Sequence, residues 1–238
     1  MNATQTMESQ VVESLLAELE AAGSERNVAG MAHYGIRPGK VFGVPMTALR
    51  GILRARRLRR CHALALSLWD SGWHEARLLA VFLEEPKLVT GGQMEAWAAQ
   101  FDSWALCDGA CIHLFRRTAQ AWDKALEWCA REDEYVKRAG FALAATLAVN
   151  DKAAPDERFA PLLEAVEREA GDSRNLVKKA VNWALRQIGK RNLALNSQAI
   201  AAAHRIALQG GATARWVAHD ALRELTGRAV QERLGSRR

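Results

Sequence analysis

The residues that could do chemistry fall into three places. In Phe101-Asp102-Ser103-Trp104-Ala105-Leu106-Cys107-Asp108, Trp104 and Asp108 stand four apart, a spacing that on a helix sets an indole and a carboxylate on one face. Asp108 interrupts an otherwise apolar run from Trp104 to Phe115, and a half-buried carboxylate costs free energy unless it is paired or used. A plainer arrangement fits the same residues, with Trp104 in the core and Asp108 capping a helix from Gly109 to Ala119. Arg138 opens an apolar helix behind Glu132-Asp133-Glu134; it is either a cation for an anionic ligand or the i,i+4 partner of Glu134. Lys179, Trp183 and Arg186, at spacings of four and three, flank an indole with cations. That pattern suits nucleic acid, with phosphates met by Arg and Lys and rings stacking on bases or sugars. A core tryptophan under surface lysines is the alternative.

The charge distribution points the same way. The formal net charge is +6, but the first stretch carries Glu8, Glu13, Glu18, Glu20 and Glu25. Then Arg50, Arg54, Arg56, Arg57, Arg59 and Arg60 crowd into a few helical turns, and Arg174, Lys178, Lys179, Arg186, Lys190 and Arg191 form a second basic cluster. Cations this dense repel one another, and a polyanion that releases counterions on binding relieves them; a solvated basic face is the other reading.

Helices must position these residues. Ala, Leu, Arg and Glu dominate, and a 3.6-residue period is plain in Val12-Leu15-Leu16-Leu19, Leu49-Ile52-Leu53 and Leu143-Leu147. Breaks are expected at Gly35 to Pro45, Asp70-Ser71-Gly72, Glu85-Pro86, Asn150 to Pro155, Gly171-Asp172-Ser173, Arg191-Asn192 and Gly210-Gly211. The result is an all-α chain of roughly a dozen helices, each 12 to 18 residues long, in one domain with residues 1–9 as a flexible tail. A weak repeat lies beneath: Arg138-Ala139-Gly140-Phe141-Ala142-Leu143, Lys179-Ala180-Val181-Asn182-Trp183-Ala184-Leu185 and, more loosely, Arg215-Trp216-Val217-Ala218-His219-Asp220-Ala221-Leu222. The spacing suits HEAT or armadillo helix pairs, a superhelical solenoid with one helix per repeat lining a concave surface. Small alanines let the paired helices approach, and the basic residue is expected to face outward.

Several classes are excluded. No P-loop, strand-linked GxGxxG, HExxH or GxSxG is present, so neither a nucleotide cofactor nor any other is expected. Cys107 and Cys111 share a helical face near His113, but no second Cys/His pair completes a tetrahedral site; they are expected as core thiols, and no metal is expected. The polar start of the chain carries no signal-peptide core, and no window nears the run of about 20 apolar residues that spans a bilayer. A cytoplasmic protein, without a membrane partner and monomeric, is expected.

At these residues the chain resembles the AlkD-like DNA alkylation-repair glycosylases, built from HEAT-like repeats. The resemblance runs from about Tyr34 to the last helix. It is carried by Gly43-Val44-Pro45 with Leu49-Arg50, by Leu68-Trp69-Asp70 with Glu75-Ala76-Arg77, and by Ser103-Trp104-x-x-x-Asp108. Val136-Lys137-Arg138-Ala139 and Lys178-Lys179-Ala180-Val181-Asn182-Trp183-Ala184-Leu185-Arg186 complete it. The resemblance implies that Asp108 is the catalytic carboxylate, that Trp104 and Trp183 cradle the lesion's deoxyribose, and that Arg138 holds backbone phosphate. Tyr34 corresponds to a DNA-contacting tyrosine. With Arg50, Arg54, Arg57, Lys178, Lys179 and Arg186 it makes up the expected DNA-binding set. One departure is Ala105, where many members carry Asp.

The implied substrate is double-stranded DNA containing N3- or N7-alkylated purines. Such a base is already cationic and leaves as a neutral molecule, so one carboxylate suffices where most glycoside hydrolases use two. Asp108 would stabilise the oxocarbenium-like sugar and position water, and each indole face would add about 0.5–2 kcal/mol of cation–π stabilisation. The family attacks the sugar without enclosing the base, in contrast to base-flipping glycosylases, and no base-reading pocket is evident in the sequence. Two other readings compete. A catalytically silent relative would bind branched or distorted DNA through the same basic surface, and loss of the carboxylate would favour it; Asp108 is present. A HEAT-repeat scaffold for protein partners is the third, and the two basic clusters count against it.

Overall fold

The computed structural model describes residues 3–236, and every regular element among them is helical. In order these are α1 (Ala3–Ala22), α2 (Glu25–His33), α3 (Met46–Ala55), α4 (His62–Asp70), α5 (His74–Leu83), α6 (Gly91–Ala98) and α7 (Trp104–His113). They continue with α8 (Ala121–Cys129), α9 (Glu134–Asn150), α10 (Ala160–Glu169), α11 (Asn175–Gly189), α12 (Leu193–Leu208), α13 (Ala212–Leu225) and α14 (Arg228–Gly235). Short 3₁₀ turns occupy Phe115–Arg117 and Asp156–Phe159.

The expected breaks fall between helices, and the caps explain where several helices start. Side-chain oxygens of Ser24, Thr90, Ser103 and Asn192 accept from backbone N–H groups three residues on, satisfying donors that a helix start leaves orphaned. Lengths depart from the expected 12 to 18 residues: α2 to α8 have only 8 to 10, whereas α1 has 20 and α9 has 17. Of the segment expected as a tail, residues 1–2 lie outside the described ones; from Ala3 the chain is helical, and Glu8 accepts a hydrogen bond from Ser67 Oγ.

Contacts divide the chain into two compact units, one ending at Thr118 and the other starting at Ala119. In the first, α4 and α5 form an antiparallel pair against which α1, α3 and α7 pack. Its core holds Trp69 and Trp97 stacked 3.9 Å apart and nearly parallel, with Phe101 and Phe115 around them.

In the second unit the repeated segments lie on α9, α11 and α13, alternate helices of successive pairs. Helix α9 packs on both α8 and α11 and is buried from Val136 to Ala148. Two glycines permit this closeness. A Cβ on Gly140 would stand 2.5 Å from the Cys129 nitrogen and 2.8 Å from the Trp128 carbonyl carbon. One on Gly189 would stand 2.8 Å from Ala199 Cβ. The expectation that the repeat's basic residue faces outward holds for Lys179 and Arg215, which are exposed, and fails for Arg138, which is 7% exposed. With neighbours on both sides, α9 has no open face for it.

Candidate active site and nucleic-acid interface

In the first unit, one residue fixes the segment leading into α3. Glu75, fully buried in the first turn of α5, accepts from three successive backbone N–H groups: Phe42 at 3.0 Å, Gly43 at 2.8 Å and Val44 at 3.1 Å. The N–H of His74 donates to the Lys40 carbonyl at 2.9 Å, and Phe42 stacks on Trp73 at 3.8 Å. Gly43 has φ +78°, and a side chain there would collide with the Ser24 carbonyl and with Val28. The Gly43-Val44-Pro45 segment is thus held where only glycine fits.

Ser103 caps α7, so Asp108 is no cap; it lies in the helix interior, one turn beyond Trp104 on the same face, and both are half-buried. The Trp104 indole N–H donates to the Tyr34 carbonyl at 3.0 Å, which fixes the ring, while the Tyr34 side chain is 72% exposed. Beyond α7 the field is basic. The imidazole of His113, whose ring lies 4.8 Å from that of Phe82, is pushed below its ordinary pKa by burial first and then by Arg50, Arg117 and Arg116. Arg50, Arg54 and Arg57 are exposed. Arg57 has φ +50°, a left-handed conformation that a residue with a side chain rarely adopts.

Beside Trp104 lies a cavity of about 610 Å³ that the sequence did not reveal. Its lining includes Met31, Leu49, Leu78 and His74. His74 is 2% exposed, its Nδ1 has no hydrogen-bond partner among the described residues, and burial lowers its pKa against the opposing pull of Glu75 and Asp102.

In the second unit the buried Arg138 donates from Nη1 to the Leu176 carbonyl at 2.7 Å, which fixes its guanidinium at the first turn of α11. Along α11, Lys179 is exposed and Trp183 half-buried. Arg186 is ion-paired with Glu224 and lies 3.8 Å from Asp220, and Lys190 shares Glu224 at 2.5 Å. Burial would raise the pKa of Glu224, but hydrogen bonds from Lys190 and Arg186 outweigh it and hold the carboxyl below its usual range. A phosphate must therefore compete with a carboxylate for Arg186, whereas Lys178 and Lys179 are not so engaged. Lys178 Nζ sits 4.8 Å from the ring centroid of Trp216, which is 41% exposed. Trp216 belongs to the third repeat copy, and its sequence offers no heavier signal than the indole itself; the contact with Lys178 singles it out.

Cys107, Cys111 and Cys129 are buried, and no group of three possible ligands that could hold a metal ion occurs among the described residues. Nor is any described helix long and apolar enough to cross a membrane.

The family described as DNA alkylation repair enzyme matches residues 15–225. No curated protein matches. A solved structure superposes with a TM-score of 0.72 and 25% identity, covering 81% of this chain and 82% of that one. It is described as belonging to a new family of proteins related to the HEAT-like repeat DNA glycosylases, with affinity for branched DNA structures.

Proposed function

The chain belongs to the DNA alkylation repair enzyme family, and from that premise we propose that it hydrolyses the N-glycosidic bond of positively charged N3- or N7-alkylated purines in duplex DNA. The observation that carries this reading is the pair on α7, an indole and a carboxylate one turn apart on one face. As the bond to the cationic base breaks, positive charge grows on the deoxyribose. Asp108 stabilises that charge and orients the attacking water, and the face of Trp104 adds cation–π attraction. The base leaves neutral and needs no acid, so the chemistry does not require that it be flipped into an enclosure. In the second unit Trp183 offers DNA an aromatic surface of its own, and Arg138, held on the Leu176 carbonyl, adds positive potential beneath it rather than a direct phosphate contact. Tyr34, Arg50, Arg54, Arg57, Lys178 and Lys179 bind phosphates, with Arg186 after exchange from Glu224. The protein acts as a cytoplasmic monomer.

A second reading is favoured by a specific finding. The structural neighbour is described by its affinity for branched DNA, and the same basic residues would serve a catalytically silent reader of DNA shape. Release of N7-methylguanine from methylated duplex DNA, with Asp108→Asn in parallel, separates the two. Release by wild type and not by the variant, with DNA binding kept by both, supports the glycosylase. No release by either, with tight and salt-sensitive binding of branched DNA, supports the shape reader. Equal release by both removes Asp108 from the centre of the chemistry.

A further inference from the structure

In the second unit α11 and α13 lie side by side. Lys178 Nζ sits 4.8 Å from the Trp216 ring centroid, the Asn182 amide donates to the Val217 carbonyl at 3.1 Å, and Arg186 pairs with Glu224. These contacts advance along both helices in the same direction, so the two run parallel. Towards their C-terminal ends the cations are neutralised, Arg186 and Lys190 by Glu224 and Arg223 by Asp220. Towards their N-terminal ends they are not. Lys178, Lys179 and Arg215 have no carboxylate within ion-pair distance among the described residues, and neither helix carries an acid in its first turn. The helix dipoles make that end positive too, so the fold gains nothing from cations there. An exposed indole stands against Lys178 and next to Arg215 in the chain. Trp216 is 41% exposed, the most of the eight tryptophans. The buried face of α13 is made without it, by Ala214, Val217, Ala218, Ala221 and Leu225, so packing does not call for an indole at this position.

We propose that Trp216 is a stacking platform for an unpaired nucleotide of a DNA strand, with Lys178 meeting that nucleotide's phosphate. Stacking needs a base whose face is free, and intact duplex offers none along its length, because each pair covers the next. The ammonium lies close enough to the ring that one nucleotide can touch both. The unpaired cations favour a flat ligand that carries its own anion. An acidic peptide would satisfy the cations but leave the indole without a ring to stack on. The inference rests on the reading above that the protein binds DNA, and it adds a preference: strands with an unpaired arm over intact duplex, through a residue outside the set named for duplex. It holds whether or not Asp108 cleaves a glycosidic bond.

The test uses the full chain and two labelled probes, a blunt duplex and the same duplex with a short single-stranded oligothymidine arm, each titrated by fluorescence anisotropy. Trp216→Leu keeps apolar bulk without a π face, and Trp216→Phe keeps a smaller face; circular dichroism and thermal melting confirm that both variants fold. Wild type should bind the armed duplex at least about fivefold more tightly than the blunt one, the least that a stacked base is worth. The Leu variant should lose that advantage and the Phe variant keep part of it, with blunt-duplex affinity unchanged in both. Lys178→Met should lower the slope of log affinity against log salt for the armed duplex by about 0.7. An advantage that survives Trp216→Leu, an equal loss on the blunt probe, or an unchanged salt slope in Lys178→Met overturns the proposal. Competition by oligoglutamate as effective as by oligothymidine also overturns it, in favour of an acidic protein partner. Wild type that binds both probes equally sinks this inference and leaves the DNA reading standing, whereas binding of neither probe removes both.

Discussion

Replacing Glu75 by Leu should cost about 3–5 kcal/mol of folding stability. The carboxylate is fully buried and serves three backbone donors, of Phe42, Gly43 and Val44, at 2.8 to 3.1 Å. Each donor stranded without a partner costs roughly 1–3 kcal/mol, which gives an upper bound of about 9 kcal/mol. Two effects reduce it: the substitution removes the desolvation cost of the carboxylate itself, and the segment can open to let water reach the amides. Glu75→Gln should cost less, about 1–2 kcal/mol. Oε1, which serves Gly43 and Val44, can persist as the amide oxygen, while the new NH₂ faces the Phe42 donor. Urea denaturation followed by tryptophan fluorescence gives the stabilities, and amide hydrogen exchange at Phe42, Gly43 and Val44 reports the segment itself. The expected order is wild type above Gln above Leu, with those three amides losing protection first. A Leu variant within about 1 kcal/mol of wild type, or one that loses stability while the three amides stay protected, would refute the reasoning.

Gly140→Ala should lower the melting temperature by several degrees, because its Cβ meets the backbone of Trp128 and Cys129 and overpacking costs about 1–3 kcal/mol. Gly51→Ala, also inside a helix but facing open space, should raise it, since alanine is the better helix former by about 1 kcal/mol. Arg57→Gly should relieve its left-handed backbone, gaining about 0.5–1 kcal/mol, while lowering the slope of log DNA affinity against log salt by about 1; destabilisation with an unchanged slope would count against both expectations. His74 and His113 are each held below the ordinary imidazole pKa, chiefly by burial. As pH falls through about 6.5, the unfolded chain takes up protons that the folded state refuses, so stability declines until the lower folded values are reached. The slope is up to about 1.4 kcal/mol per pH unit for each histidine. The double variant His74→Leu, His113→Leu should flatten that decline in urea melts between pH 7 and 5, and an unchanged slope would assign it to other groups.

What could be read from the sequence was mostly local. Breaks at Asp70-Ser71-Gly72, Glu85-Pro86 and Gly210-Gly211 fall where helices end because turn chemistry depends on a few adjacent residues. Placing Trp104 and Asp108 on one helical face needed only their spacing. The choice between cap and interior for Asp108 was also local, and Ser103 decided it by taking the cap. The failures are long-range. Arg138 is buried because α11 covers it with the Leu176 carbonyl, 38 positions away. Lys137, 4% exposed, reaches Glu169 at 2.8 Å and Asp172 at 3.7 Å, partners that no helical period announces. The cavity draws its walls from residues 26–49, 74–78 and 104–105, so no single stretch carries its signature.

The hydrogen bond from the Trp104 indole to the Tyr34 carbonyl also bears on the order of folding. It joins positions 70 residues apart, and the entropy of closing a loop grows with the logarithm of its length, reaching a few kcal/mol at this separation. A chain leaving the ribosome can pair α4 with α5 as soon as both have emerged. The link between Tyr34 and α7 must wait until Trp104 is out, roughly seconds later at ordinary synthesis rates. The apolar side chains around the unfinished cavity are the ones left uncovered in that interval. A truncated nascent chain ending before α7 should therefore be the form most prone to capture by chaperones.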